Sequence, residues 1–145
     1  MKRILVALGM FCFLGSSLAA EKHMHHGDAM ADERISLGLA PEMKQHQLSN
    51  MRSHVEAVRS IVGLIATNDF EQASNIAHSK LGLTEEMKKM CDMFENEKFK
   101  TLGMAFHKSG DALGEVLLKK DVVQSLAALS KTMGYCVECH ETFRQ

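Results

Sequence analysis

From Leu48 onward the apolar side chains fall at Leu48, Met51, Val55, Val58, Val62 and Ile65. Steps of three and four put them on one face of a helix. The chain's one proline, Pro41, suits the first turn of that helix, where its missing N–H is no loss. Thr67-Asn68-Asp69 ends it. The pattern predicts helix A over about residues 42–66, and the segment 32–39 is compatible with a helical lead-in. Helix B follows over about 70–80, with Phe70, Ala73, Ile76 and Ala77 inward, and Leu81-Gly82-Leu83 breaks it. Thr84-Glu85-Glu86 reads as a cap and acidic first turn for a piece carrying Met87, Met90 and Phe94. That piece is either the second half of B or a separate crossover helix. Helix C covers about 96–119, with Phe99, Leu102, Ala105, Phe106, Ser109, Leu113, Val116 and Leu117 on a broad apolar stripe. Asp121 caps helix D, whose stripe runs Val122, Leu126, Leu129, Met133, Cys136, His140. No repeat or strand signal stands out. Short A–B and C–D turns and a longer B–C crossover predict an all-α fold, an antiparallel up-down-up-down four-helix bundle over residues 32–145.

Gly103, Gly110 and Gly114 stand inside helix C, each costing roughly 1 kcal/mol against alanine. Close approach of a neighbouring backbone or of a flat cofactor would repay that. The first twenty residues have another logic. Met1-Lys2-Arg3 precedes an apolar run, Ile4 to Leu14, and then Gly15-Ser16-Ser17-Leu18-Ala19-Ala20. A basic start, a short apolar core and small residues describe a secretory signal peptide, 1–20. The run is too short to span a bilayer, so no stable membrane insertion is expected after cleavage. Lys and Arg total 17 against 18 Asp and Glu. Losing Lys2 and Arg3 leaves a net charge of about −3, which carries no nucleic-acid footprint.

Residues 21–31 hold His23, Met24, His25, His26, Asp28 and Met30 without a helical stripe, a mobile His/Met-rich tail. Imidazole with thioether suits copper or nickel. Cys91 is the odd thiol of an exported chain, either buried and inert or able to pair between molecules.

The chemistry concentrates at the other end. Cys136-Val137-Glu138-Cys139-His140 is a C-x-x-C-H run, the signature of c-type haem attachment. Two thiols three apart on a helix can both add across the vinyl groups of one haem, and the next residue can reach the iron. A thioredoxin-like redox pair would sit near a βαβ pattern, and structural zinc needs a fourth ligand. Cys136 and His140 lie in register with the stripe of helix D, which places the haem inside the bundle.

Cys136-x-x-Cys139-His140-x-x-Phe143-Arg144, closing a fourth helix in an exported chain of this size, resembles the class II cytochromes c: cytochrome c prime and its low-spin relatives. The likeness covers about residues 32–145, strong in helix D and a matter of pattern elsewhere. It implies one haem c held covalently by Cys136 and Cys139, axial His140, a periplasmic location, and a bundle that is often a homodimer. Arg144 matches the basic residue that follows the motif in that family. The His/Met-rich tail and the Met-rich B–C segment depart from the pattern.

In that family the sixth iron ligand decides the function. A helix A Met gives a low-spin, six-coordinate electron carrier that turns over no substrate and so is not an enzyme. An apolar residue there leaves an open iron that binds nitric oxide or carbon monoxide. Counting along antiparallel helices A and D at 1.5 Å per residue sets Met51 roughly 5 Å below His140 and Met43 roughly 8 Å above it. Met51 is on the stripe, whereas Met43 is about 80° round from it, His54 about 60° and His46 about 140°. Met51 is therefore the first choice, with Met43, a His or no protein ligand as alternatives. Lys44, Arg52 and Arg144 lie near the same bundle end and are candidates for the haem propionates. The expected partners are redox proteins. A third hypothesis is a metal-handling protein that uses the tail and Cys91.

Overall fold

A computed structural model describes residues 31–145 of the chain, so the expected signal peptide and nearly all of the His/Met-rich tail lie outside the described residues. Glu33–Gln145 forms one compact, all-α unit. Helix α1 spans Pro41–Ala66 and has proline in its first turn, as expected. Helix α2, Phe70–Ile76, is capped by Asp69 and runs into a π-helical turn, Ala77–Leu81. Helix α3, Glu85–Asp92, is a separate piece whose Thr84 side chain accepts from the Met87 N–H. Helices α4, Glu97–Leu117, and α5, Val122–Thr142, are capped by Asn96 and Asp121. The helix boundaries follow the sequence because the caps and breakers are local chemistry.

The segment before α1 differs from expectation. It is extended, and Ile35–Ser36 (β1) pairs in parallel with Phe143–Arg144 (β2). The Leu37 N–H donates to the Arg144 carbonyl, and the Arg34 guanidinium donates to the His140 carbonyl at 3.1 Å. A cation at a helix C-terminus meets its unpaired carbonyls. Two-residue strands leave no alternating pattern to read in advance.

Helices α4 and α5 are the most intimately packed pair. Phe99, early in α4, meets Phe143 just past α5 edge-to-face at 5.2 Å, so the two helices run antiparallel. Thr132 Oγ1 donates to the Ser109 carbonyl further along. The main core joins Ala57, Ile61 and Ile65 of α1 to Phe70, Ala73, Ala77 and Leu81, with Phe106, Leu113, Leu117 and Leu129 from the other side. A second cluster, Met90, Phe94, Phe99, Leu102 and Phe143, anchors the end of α5.

The glycines of α4 admit neighbouring groups. A Cβ on Gly110 would collide with the Leu81 carbonyl, and one on Gly114 with the His78 ring. The close approach expected at these two positions comes from the π-helical turn and its side chain.

The inward faces of α1 and α5 are where sequence and structure part. The sequence stripes put Val55, Val62, Leu126 and Met133 inward, yet Val55 is 70% exposed and Met133 45%. Ile65 of the α1 stripe and Leu129 of the α5 stripe do reach the main core, and the residues buried with them lie one step round each helix: Ala57 and Ile61 on α1, Ser125 and Thr132 on α5. Helix α1 rests mainly on α2, α5 rests on α4, and α1 meets α5 only sparsely.

Candidate functional site

A cavity of about 550 Å³ lies where α1 and α5 fail to close on each other. Its size is in the range of small-molecule and cofactor sites. Helix α5 lines it with Met133, Tyr135, Cys136, Cys139 and His140, and α1 with Leu48, Met51, Val55 and Val58 among others. Met87, Met90, Cys91 and Phe94 close it from the α3 side, and Phe99, Gly103, Phe106 and His107 from α4. The two sequence stripes therefore meet at this cavity. Leu48, Met51, Val55 and Val58 of the first and Met133 and Cys136 of the second line it, while Ile65 and Leu129 reach the protein core.

All three residues of the attachment motif reach the cavity: Cys136 and Cys139 are half-buried, and His140 is exposed at its edge. Burial raises the Cys136 thiol above its ordinary range. Cys139 is pushed up to about 11 by burial first, then by Cys136 and Glu138. Both are free thiols. Among the described residues no three His, Cys, Asp or Glu side chains are grouped to hold a metal ion.

On the facing wall Met51 is half-buried and lines the cavity, and Arg52 is exposed at its rim. The other residues picked from sequence fall elsewhere. Met43 and Lys44 are half-buried, and His46 is exposed; none of the three lines the cavity. Arg144 is also outside it: its Nε donates to the Arg34 carbonyl at 3.3 Å, which ties it to the strand pair. Cys91 is buried in the cavity wall, its thiol raised by burial and by Asp92.

The sequence reading weighed His54 only as an alternative ligand and missed the polar group that it forms with His107 in this wall. His54 and His107 stand edge-to-face with ring centroids 5.6 Å apart, and Phe106 lies 4.9 Å from each. His107 Nδ1 is 2.9 Å from the Leu81 carbonyl, which only accepts, so Nδ1 carries the proton. Burial lowers His107. His54 falls to about 4, from burial first and then from His107. Gln47 and Asn50 continue the polar line on α1, and the Asn50 amide donates to Met90 Sδ at 3.0 Å. The signal was present as polar residues at positions 47, 50 and 54, with helical spacing. It was passed over in favour of the apolar stripe beside it.

The neutral His54 makes the fold acid-sensitive. Its folded value lies below the ordinary 6.5. Its contribution is therefore present above about pH 6.5 and is lost as pH falls toward about 4, on the order of 3 kcal/mol in all. Denaturant unfolding between pH 7.5 and 4.5 is expected to show that loss, and His54→Phe is expected to flatten the pH dependence. Parallel curves for the two proteins would contradict it.

No protein-family model, no curated protein and no protein of known structure matches this chain. Among the described residues no helix is long and apolar enough to cross a membrane.

Proposed function

We propose that this protein is an exported c-type cytochrome, resembling the class II group, that carries electrons through one covalently held haem in an antiparallel four-helix bundle. Helices α1, α2 with its π-helical turn, α4 and α5 are the four members, and α3 is the crossover. The observation that carries the reading is the meeting of Cys136, Cys139, His140 and Met51 on the walls of one largely apolar cavity. Chance spacing of two cysteines and a histidine does not require such a space beside them.

The residues present fit the group. Cys136 and Cys139 would hold it by thioethers, His140 and Met51 would ligate its iron, and Arg52 at the rim would serve a propionate. The bound haem supplies one-electron Fe(II)/Fe(III) chemistry. The chain's own part is to fix the ligands and keep water out. Phe143, packed on Phe99, anchors the end of α5, and the Arg34–His140 carbonyl bond draws the β1 segment over it. A thioether opposite imidazole raises the potential. The apolar wall of Leu48, Val55, Val58, Phe94 and Phe106 limits solvent reorganisation on electron transfer. A periplasmic location follows from the proposed export, and redox proteins are the proposed partners.

Mass spectrometry of the full chain, made in a host competent in cytochrome c maturation, tests the attachment. The expected mass exceeds that of the processed chain by one haem and keeps it through denaturation. Cys136→Ser/Cys139→Ser is expected to lose it. A wild-type chain without covalent haem from such a host would sink the proposal.

A further inference from the structure

Helix α1 turns Gln47, Asn50 and His54 toward the cavity beside its apolar residues. Gln47 is only 8% exposed, deeper than any other α1 residue lining the cavity, whereas Val55 is mostly exposed. The Gln47 Oε1 atom is fully buried and has no hydrogen-bond partner. A buried carboxamide oxygen without a partner is uncommon in a folded protein and calls for an explanation. Where a local rule fails beside a cavity, the compensation is sought in what the cavity binds.

We propose that Gln47 hydrogen-bonds one of the two haem carboxylates inside the cavity, with Arg52 serving the other at the rim. This rests on the haem reading above and assigns a binding residue within that site. Three considerations favour it. Apart from the iron and its ring nitrogens, a haem offers hydrogen-bonding atoms only on its carboxylates. Gln47 lies one turn before Met51, about 6 Å along the helix, so it stands over the periphery of a group ligated by Met51 and not over the iron. Arg52 is the one Lys or Arg side chain among the cavity's lining residues, which leaves a second carboxylate to neutral donors. The carboxamide Nε2–H, which is not among the fully buried unpartnered atoms, serves as the donor.

A neutral N–H donor favours the ionised carboxylate, and that negative charge near the iron favours Fe(III). Gln47→Leu is therefore expected to raise the midpoint potential of the holoprotein and to give it a pH dependence near neutrality. Gln47→Glu is expected to steepen that dependence, because two adjacent carboxyl groups compete for one charge. Redox-difference infrared spectra should show a haem carboxyl band that moves in both variants. Gln47→Met, of matching length, is the second apolar variant if the leucine protein folds poorly.

A purely structural Gln47 predicts a different set of results. Removing an unpartnered buried amide would raise thermal stability and leave the potential and the carboxyl band where they were. That outcome, in a protein carrying its haem, overturns this assignment and leaves the cytochrome reading intact. A protein with no haem overturns both.

Discussion

Replacing Met51 by alanine is expected to change the iron from low-spin to high-spin and to open a carbon monoxide site that the unmodified protein lacks. Met51 is the α1 thioether on the cavity wall, and Met43, the other candidate on that helix, lies outside it. Loss of the Met opposite His140 is expected to lower the potential by some fraction of the ~0.8 V that axial ligation spans. The stability cost is smaller, about 1–2 kcal/mol, because the side chain is only half-buried. An optical spectrum and a carbon monoxide titration of the variant decide the point. An unchanged low-spin spectrum removes Met51 as ligand and turns attention to His54, on the same wall one turn further along.

Among substitutions, the largest stability effect is expected at Gly110. An added methyl there meets the Leu81 carbonyl and lies 2.8 Å from the Leu81 Cβ. That carbonyl also accepts the His107 Nδ1–H bond at 2.9 Å, so the backbone cannot retreat without breaking it. Overpacking costs roughly 1–3 kcal/mol and a lost hydrogen bond about 1, against about 1 regained from helix propensity. Gly110→Ala is expected to destabilise by about 1–3 kcal/mol, a fall in melting temperature on the order of 10 °C. Gly134 on α5 is the control, since nothing lies within 4 Å of its added Cβ. Gly134→Ala is expected to stabilise by up to ~1 kcal/mol. A gain at Gly110 equal to that at Gly134 would contradict the close packing of the π-helical turn on α4.

Helix starts were legible because Asp69, Thr84, Asn96 and Asp121 accept from N–H groups of their own first turns, and Pro41 has no N–H to leave unpaired. The strand pair was not legible, since Ile35–Ser36 and Phe143–Arg144 are two residues each and lie far apart in sequence. The stripes on α1 and α5 were found but assigned to the wrong surroundings. Periodicity tells which residues share a face and not what that face meets, whether protein core or cavity. That is why Val55 and Met133 came out exposed, while Gln47, His54 and His107 came out as the cavity's polar side. The attachment motif was legible because it is a contiguous run. Arg144 was placed by its proximity in sequence to His140, and the strand pairing holds it at Arg34 instead.

The central claim is a haem held by Cys136 and Cys139 with Met51 opposite His140. The optical spectrum of the purified holoprotein, oxidised and dithionite-reduced, with and without carbon monoxide, tests it most directly. Sharp split reduced bands, a weak far-red band in the oxidised form and no response to carbon monoxide are predicted. A broad high-spin spectrum that sharpens with carbon monoxide would contradict the Met51 ligation and make the protein a gas-binding haem protein. The absence of any haem spectrum would contradict the whole account.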